Sequence, residues 1–540
     1  MQADHTIGVD VGTGSARAGV FDRKGRLLAS AKRAITMWHE PGDVVEQSGD
    51  QIWAAICASV AEALAASGIR ADRVAGIAFD ATCSLVAVTA GGAPVTVSPS
   101  GDPARNVMVW MDHRAAGEAA EINAGGHAVL AYVGGKISPE METPKLLWLA
   151  RNLPASFAAA DHFFDLADYL TWRATGSLAR SVCTVTCKWT YLAHEGRWDA
   201  AYFRAIGLGV LADEGFRRIG TDIVEPGTAL GQGLTVKAAA DLGLAPGTAV
   251  GAALIDAHAG GIGTLGGAIA GSDGDVRNRL AYIFGTSACS MASSEGPVFV
   301  NGVWGPYFSS MVPGLWLNEG GQSAAGAALD HLVLMHPASA KAAEQAKAAG
   351  QPLVAWLDAR AQAMGPLADV AGLAGDVHVV PEFLGNRSPF ADPQARAIIA
   401  GLGLEAGVDD LVGLYIAGLC GIGYGLRQLL DRFRADGITI DAIVVSGGAA
   451  QSLLVQRVLA DATQTAVAVA PSPEPVLLGA AMLAAAAAGL VPALADAMAG
   501  MSGDCTLVTP ADGPTAALHA HRYAAFQALQ TTARHIRGLG

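Results

Sequence analysis

Two short runs of this chain carry groups suited to gripping an anion. Ile7-Gly8-Val9-Asp10-Val11-Gly12-Thr13-Gly14-Ser15 takes a strand-like apolar stretch into a glycine turn, and Ala16 to Phe21 reads as the strand leaving it. Leu280-Ala281-Tyr282-Ile283-Phe284-Gly285-Thr286-Ser287 repeats the design, with Ala288 to Met291 leading away. Glycines let backbone N–H groups close on an anion, and threonine and serine hydroxyls add donors. A third candidate is the strand Ala442 to Val445, which feeds Ser446-Gly447-Gly448-Ala449-Ala450 into a helix beginning near Gln451. The free N–H groups and dipole at a helix N-terminus favour a phosphate there. Twin hairpins suggest a nucleotide clamped between two similar halves, the layout of a two-lobed phosphotransferase. For any one turn alone, a purely structural hairpin is the competing role. A P-loop is not indicated, since Gly134-Gly135-Lys136 lacks both the upstream glycine and the following hydroxyl.

Transfer of a phosphoryl group to an alcohol also needs a carboxylate beside the attacking hydroxyl, to orient it and accept its proton. Asp256 follows the strand-like run Val250-Gly251-Ala252-Ala253-Leu254-Ile255 and precedes small residues that open a helix. His258 is a second candidate base. Asp10, at the first turn, would be repelled by phosphates unless a Mg²⁺ ion, reached through water, stands between them; capping of the turn is its alternative role. Lys188 lies among Cys187, Trp189 and Tyr191, an apolar setting in which an ammonium needs a polar partner. Glu319, between Asn318 and two glycines, can accept hydroxyl groups; a buried Lys188–Glu319 ion pair without a ligand is the competing reading.

The elements that must position these groups alternate between strands and helices. Ile7–Val11, Ala16–Phe21 and Leu27–Ile35 read as a three-stranded meander. A helix over Gln51 to Ala66 follows, with Ile52, Ile56, Val60 and Leu64 at helical spacing. Val74 to Phe79 is then a short buried strand ending at Asp80, ahead of the loop Ala81-Thr82-Cys83-Ser84. The second half restarts at Ala281, after a polar, glycine-bearing stretch from Ala268 to Asn278. Val476 to Ala495 holds no charge and is long enough to span a bilayer. Its alanine content, Gly489 and Pro492 instead predict a buried helix with ordinary punctuation.

With 540 residues, 51% of them hydrophobic and only 16% charged, the chain has material for two large α/β cores. A net charge of −14 argues against nucleic-acid binding, which needs a basic face. The seven cysteines are scattered without C-x-x-C pairs, so neither a disulfide framework nor a zinc site is expected. Cys183 and Cys187 are four apart, but no nearby Cys or His completes a ligand set. A reducing, cytoplasmic setting is expected, because the first residues have neither the basic start nor the apolar core of a signal peptide. No membrane partner is expected, and a homodimer stays open.

In sequence order, several motifs resemble those of the FGGY carbohydrate kinases, in the sugar kinase–hexokinase–actin–Hsp70 superfamily. They are Gly8-Val9-Asp10-Val11-Gly12-Thr13-Gly14-Ser15, Trp110-Met111-Asp112-His113-Arg114, Ser138 to Leu149, Cys187-Lys188-Trp189-Thr190-Tyr191, and Ile255-Asp256-Ala257-His258-Ala259-Gly260-Gly261. Phe284-Gly285-Thr286-Ser287, Asn318-Glu319-Gly320-Gly321-Gln322-Ser323, Gly385-Asn386-Arg387-Ser388-Pro389 and Gly447-Gly448-Ala449 continue the series. Within the family the chain most resembles ribulokinases of the D-ribulokinase type, through Leu254 to Gly261 and Trp316 to Ser323.

The resemblance implies two actin-like, ribonuclease H-like α/β domains, residues 1–266 and 267–540, with a cleft between them. It implies an ATP- and Mg²⁺-dependent kinase acting on a small sugar, with D-ribulose phosphorylated to D-ribulose 5-phosphate. Asp256 matches the catalytic aspartate; Cys83, Trp110, Glu140, Lys188 and Glu319 match substrate-pocket positions. ATP is expected at Gly12, Thr13 and Gly14, at Gly285 and Thr286, and at Gly326, Gly447, Gly448 and Ser452, with Asp10 serving the metal. Related kinases commonly carry Asn near the adenine where this chain has Gln451-Ser452. Arg387 is expected to brace its loop. L-Ribulose, ribitol and other pentoses or polyols fit the same chemistry; a nucleotide-gated binding module and a silent sugar sensor are the readings from other classes.

Overall fold

Alternating apolar runs bounded by glycine turns build two mixed sheets of matching design. The structure is a computed structural model and describes residues 3–538. The first sheet contains β1 (His5–Gly12), β2 (Ser15–Phe21), β3 (Leu27–Ala34), β4 (Val74–Ala81) and β5 (Ala249–Ile255), in the order β5-β4-β1-β2-β3. β1, β4 and β5 run parallel, β2 pairs antiparallel with β1, and β3 pairs antiparallel with β2. The second sheet contains β6 (Arg279–Phe284), β7 (Ala288–Ser294), β8 (Trp304–Phe308), β9 (Trp316–Gln322), β10 (Ala442–Gly447), β11 (Ala466–Val469) and β12 (Thr506–Val508). Its order is β8-β9-β7-β6-β10-β11-β12, with β6, β10 and β11 parallel. Strands β9-β7-β6-β10-β11 therefore repeat the order and directions of β3-β2-β1-β4-β5.

The strands parallel to β1 and β6 are buried along nearly their whole length, as sheets covered on both faces require. The meander and the following helix, α1 (Gly49–Ser67), form as expected, with Ser48 capping α1 by accepting from the Gln51 N–H. β4 ends at Ala81, one residue into the expected loop, and Asp80 pairs with Asp10 of β1 and Leu254 of β5. A smaller sheet of strands 38–40, 44–47, 85–88, 107–108 and 162–165 stands beside the first and carries Trp110 just beyond its edge.

Two corresponding helices join the halves. α3 (Asp256–Leu265) follows β5, and α7 (Pro475–Ala487) follows β11. α7 lies against β1, β4 and β5, while α3 lies against β6 and β10, and the two helices cross on each other. Glycine makes this crossing: a Cβ on Gly263 would overlap the Pro475 carbonyl, and one on Gly479 would overlap that of Ala259. α7 is the apolar stretch that read as a buried helix, and it is buried. Among the described residues no helix is long and apolar enough to cross a membrane. The remaining labelled helices are α2 (Val182–Trp189), α4 (Gly326–Met335), α5 (Val408–Ala435) and α6 (Leu453–Thr463).

Candidate active site

Three carboxylates meet at the C-terminal ends of neighbouring parallel strands. Asp10 comes from β1, Asp80 from β4, and Asp256 opens α3 directly after β5. An Asp256 oxygen accepts the Ala257 N–H at 2.8 Å. Burial first, and the charge of Asp10 second, push the Asp256 carboxyl up to about 6. That places its proton affinity close to neutrality, as a general base needs. Asp80 is fully buried with its carboxyl against that of Asp10; burial, then Asp10, then Asp256 hold it well above the usual carboxylate range.

Asp10 is held by a residue the sequence reading passed over. Arg17, its cross-strand partner on β2, donates Nε and Nη2 to Asp10 Oδ2, the first at 2.7 Å. Nη1 of the same guanidinium reaches Glu474, ahead of α7, at 2.6 Å. A charged residue inside the apolar strand from Ala16 to Phe21 was the available signal. Nothing local marked Glu474, which lies 457 residues away.

The first glycine turn is tied to its surroundings. Gln47 donates to the Thr13 carbonyl at 2.6 Å, and Ile35 N–H donates to the Gly14 carbonyl at 3.0 Å. The Trp110 indole donates to Thr13 Oγ1 at 3.0 Å. Because indole N–H is only a donor, the Thr13 hydroxyl acts there as acceptor and keeps its own proton for a ligand.

Facing this turn is a dense polar wall. Lys188 ends α2, with its ammonium 5.6 Å from the centre of the Trp304 ring. Burial works against that ammonium, but the acidic groups around it, among them Glu319 and Glu140, raise Lys188 above its ordinary value. Glu319, on β9, pairs not with Lys188 but with His258 Nε2, at 3.3 Å. Burial opposes ionisation of Glu319, yet the His258 bond and the charges of His258 and Lys188 bring it down to about 2. Glu140 lies 3.5 Å from His113 Nε2. Although burial resists, that bond and the charges of Lys188 and Arg387 hold it below its usual value. Burial raises the Cys83 thiol strongly, so it faces the cavity as a neutral group. Arg387 does more than brace a loop: it reaches the cavity, 5.4 Å from the Trp304 ring centre and 3.9 Å from Cys289 Sγ.

Asp10, Gly12, Thr13, Cys83, Trp110, Glu140, Lys188, Asp256 and Glu319 thus line one cavity of about 320 Å³. Gly14 stays in the first turn outside that cavity, and the other expected positions lie at the second hairpin and the neighbouring strand end. Gly326, starting α4, donates its N–H to the Gly285 carbonyl at 3.0 Å, while Ala325 and Ala327 donate to that of Thr286. Gly447 is paired with Phe284, has φ of +75°, and leaves no room for a Cβ beside the Phe284 carbonyl. Gly448 opens a short 3₁₀ turn that ends at Gln451, so α6 begins at Leu453 rather than near Gln451. Ser452 sets that start: its hydroxyl accepts the Val455 N–H at 3.2 Å and donates to Asp358 at 2.5 Å. Both of its capacities are thereby engaged within the protein, and it does not line the cavity.

One sequence expectation fails outright. Cys183 and Cys187 do have a nearby histidine, because folding brings α3 across α2. Ligand atoms of Cys183, Cys187 and His258 lie within 4.8 Å of one another. The spacing in sequence could not reveal it, since His258 is 75 residues from Cys183.

Comparison with known proteins identifies the family. Residues 5–263 match the N-terminal domain, and residues 280–488 the C-terminal domain, of the FGGY family of carbohydrate kinases. An FGGY carbohydrate kinase domain-containing protein of Homo sapiens is 45% identical over 502 residues, covering 92% of this chain and 91% of the relative. A D-ribulokinase of Saccharomyces cerevisiae is 38% identical over 515 residues, covering 90% of this chain and 72% of the relative. The structure of a xylulose kinase from Rhodospirillum rubrum superimposes with a TM-score of 0.77 at 24% identity, over 98% of this chain and 99% of the other. The chain belongs to the FGGY family of carbohydrate kinases, a two-domain actin-like fold, and is a ribulokinase-like phosphotransferase.

Proposed function

We propose that this member of the FGGY family is an ATP-dependent ketopentose kinase that converts D-ribulose to D-ribulose 5-phosphate, with residues 1–266 and 267–540 as its two domains. The observation that carries this reading is the position of Asp256. It lies half-buried in the cavity between the first phosphate turn and the Lys188–Glu319 wall, with its carboxyl pushed up to about 6. In the reaction the 5-hydroxyl oxygen of the sugar attacks the γ-phosphorus of ATP. The new O–P bond forms as the β–γ bridging bond breaks, ADP leaves, and the hydroxyl proton passes to Asp256. Lys188, Glu319 and Glu140 orient the sugar through its other oxygens, with Cys83 and Trp110 at its flank. Thr13 and Gly12 hold the transferring phosphate from one side; Gly285, Thr286 and the start of α4 hold it from the other. Gly447 and Gly448 lie nearest the rest of the nucleotide, with Ser452 shaping their loop.

The carboxylates suit Mg²⁺, a hard cation that takes oxygen ligands. Asp10, with one oxygen left by Arg17, and the neighbouring Asp80 bring oxygen donors together at this point. Asp10 would hold the ion through water, and when bound the ion neutralises charge on the phosphates. Closure of the cleft excludes water, the competing acceptor.

The test is an ADP-release assay over a panel including D-ribulose, L-ribulose, D-xylulose and ribitol, ranked by kcat/KM. D-Ribulose heading the ranking supports the assignment; another polyol heading it moves the substrate while keeping the chemistry. Failure of every sugar to accelerate ATP turnover overturns it in favour of a binding module.

A further inference from the structure

Cys183 and Cys187 are four residues apart on α2 and so share one helix face. His258, on the first turn of α3, faces them. The three side chains are buried, their ligand atoms lie within 4.8 Å of one another, and none is spent in a disulfide. Cys183 Sγ stands 3.1 Å from His258 Nδ1. The other ring nitrogen, Nε2, faces Glu319 Oε2 at 3.3 Å. With Glu319 holding the proton at Nε2, loss of the Nδ1 proton leaves that nitrogen's lone pair aimed at the sulfurs. That is how a histidine ligand is fixed from behind in metal sites.

We propose that Cys183, Cys187 and His258 form a buried site for a thiophilic d¹⁰ cation, Zn²⁺ or Cu⁺. Two sulfurs and one imidazole are the wrong donors for Mg²⁺ and the right ones for these ions. Binding displaces the two thiol protons and the Nδ1 proton of His258 to solvent, and two thiolates then balance the charge of Zn²⁺. Three protein ligands complete a trigonal Cu⁺ site, whereas Zn²⁺ takes a fourth donor. The site lies directly behind the sugar wall: Lys188 follows Cys187, and Glu319 bonds the histidine. An ion there would set the position of both residues. This inference does not depend on the identity of the sugar or on the kinase reading.

The full-length protein, stripped of metal under reducing conditions, is titrated with Zn²⁺ against a chromophoric chelator and with Cu⁺ against bicinchoninate. Co²⁺ serves as a spectroscopic stand-in. Expected are one equivalent of Zn²⁺ or Cu⁺ per chain and a sulfur-to-cobalt charge-transfer band. Cys187→Ser and His258→Gln are expected to lose the stoichiometric site, and Glu319→Gln to weaken it by roughly 10- to 100-fold. The wild-type titration and cobalt spectrum stand even if a variant fails to fold. The proposal is overturned if wild-type protein takes up neither ion stoichiometrically, if bound cobalt shows no sulfur charge transfer, or if folded Cys187→Ser and His258→Gln variants bind as wild type does.

Discussion

The two hairpins sit at matching places in matching sheets, yet they are chemically unlike. At the first, the cross-strand pair below the turn is Asp10 with Arg17; at the second, the corresponding pair is Ile283 with Cys289. The helix after β5 begins with Asp256, while that after β11 begins with Pro475 and Val476. Ile283, Cys289 and Val476 all face the shared cavity. The duplicated hairpins have thus been divided: the first carries ionised side chains, the second carries backbone, glycine and small hydroxyls, and the second half's own charges, Glu319 and Arg387, reach the cavity from outside its hairpin. A charge that must respond to the reaction belongs in the first half. A grip that must only fit belongs in the second.

Substitutions can break that division where it is sharpest. Asp256→Asn is expected to lower kcat by about 10²- to 10⁴-fold while leaving binding of ATP and sugar measurable by calorimetry. A near-normal kcat would remove Asp256 from its role and leave the first half without reactive charge. Asp10→Asn should raise the Mg²⁺ concentration needed for half-maximal rate by roughly 10- to 100-fold, the scale for groups acting on a metal through an outer shell. An unchanged Mg²⁺ titration would say that Asp10 serves only Arg17.

The second half should instead respond to shape. A Cβ on Gly326 falls 2.8 Å from the Gly285 carbonyl. Gly326→Ala should therefore cost about 1–2 kcal/mol, the scale of overpacking, read as a raised KM for ATP at unchanged KM for sugar. An equal rise in both would deny this hairpin a nucleotide-specific role. The pH profile separates the halves again. Asp256 works ionised, so kcat/KM should fall about tenfold per pH unit below its value of about 6. In Asp256→Asn that limb should vanish, because Glu319, held down to about 2, stays charged throughout. The smallest effect is expected for Trp110→Phe, which removes one hydrogen bond to Thr13, worth about 1 kcal/mol of kcat/KM.

The twin hairpins and Asp256 were legible in the sequence because each is a local pattern: an apolar run, a glycine turn, a carboxylate before small residues. What stayed hidden depends on register or on crossings. Arg17 matters because it lies opposite Asp10, and Asp80 because β4 continues between β1 and β5. His258 completes a cluster with Cys183 and Cys187 only because two helices pass each other. The cap that Ser452 places on α6, and its bond to Asp358 94 residues away, are likewise partnerships that only the fold reveals. Local chemistry survives in one dimension; partnership does not.

The glycine crossing of α3 and α7 has a mechanical consequence. Backbone lies against backbone at Gly263 and Gly479, with no side-chain knobs to ride over, so the contact can serve as an axle. Asp256 stands seven residues up α3 from Gly263, a lever arm of about 10 Å at the rise of an α-helix. Turning α3 by about 10° on that axle moves the carboxylate by roughly 2 Å, enough to make or break a hydrogen bond to an attacking hydroxyl. A minute of arc at the pivot is negligible, but a few degrees is a clutch.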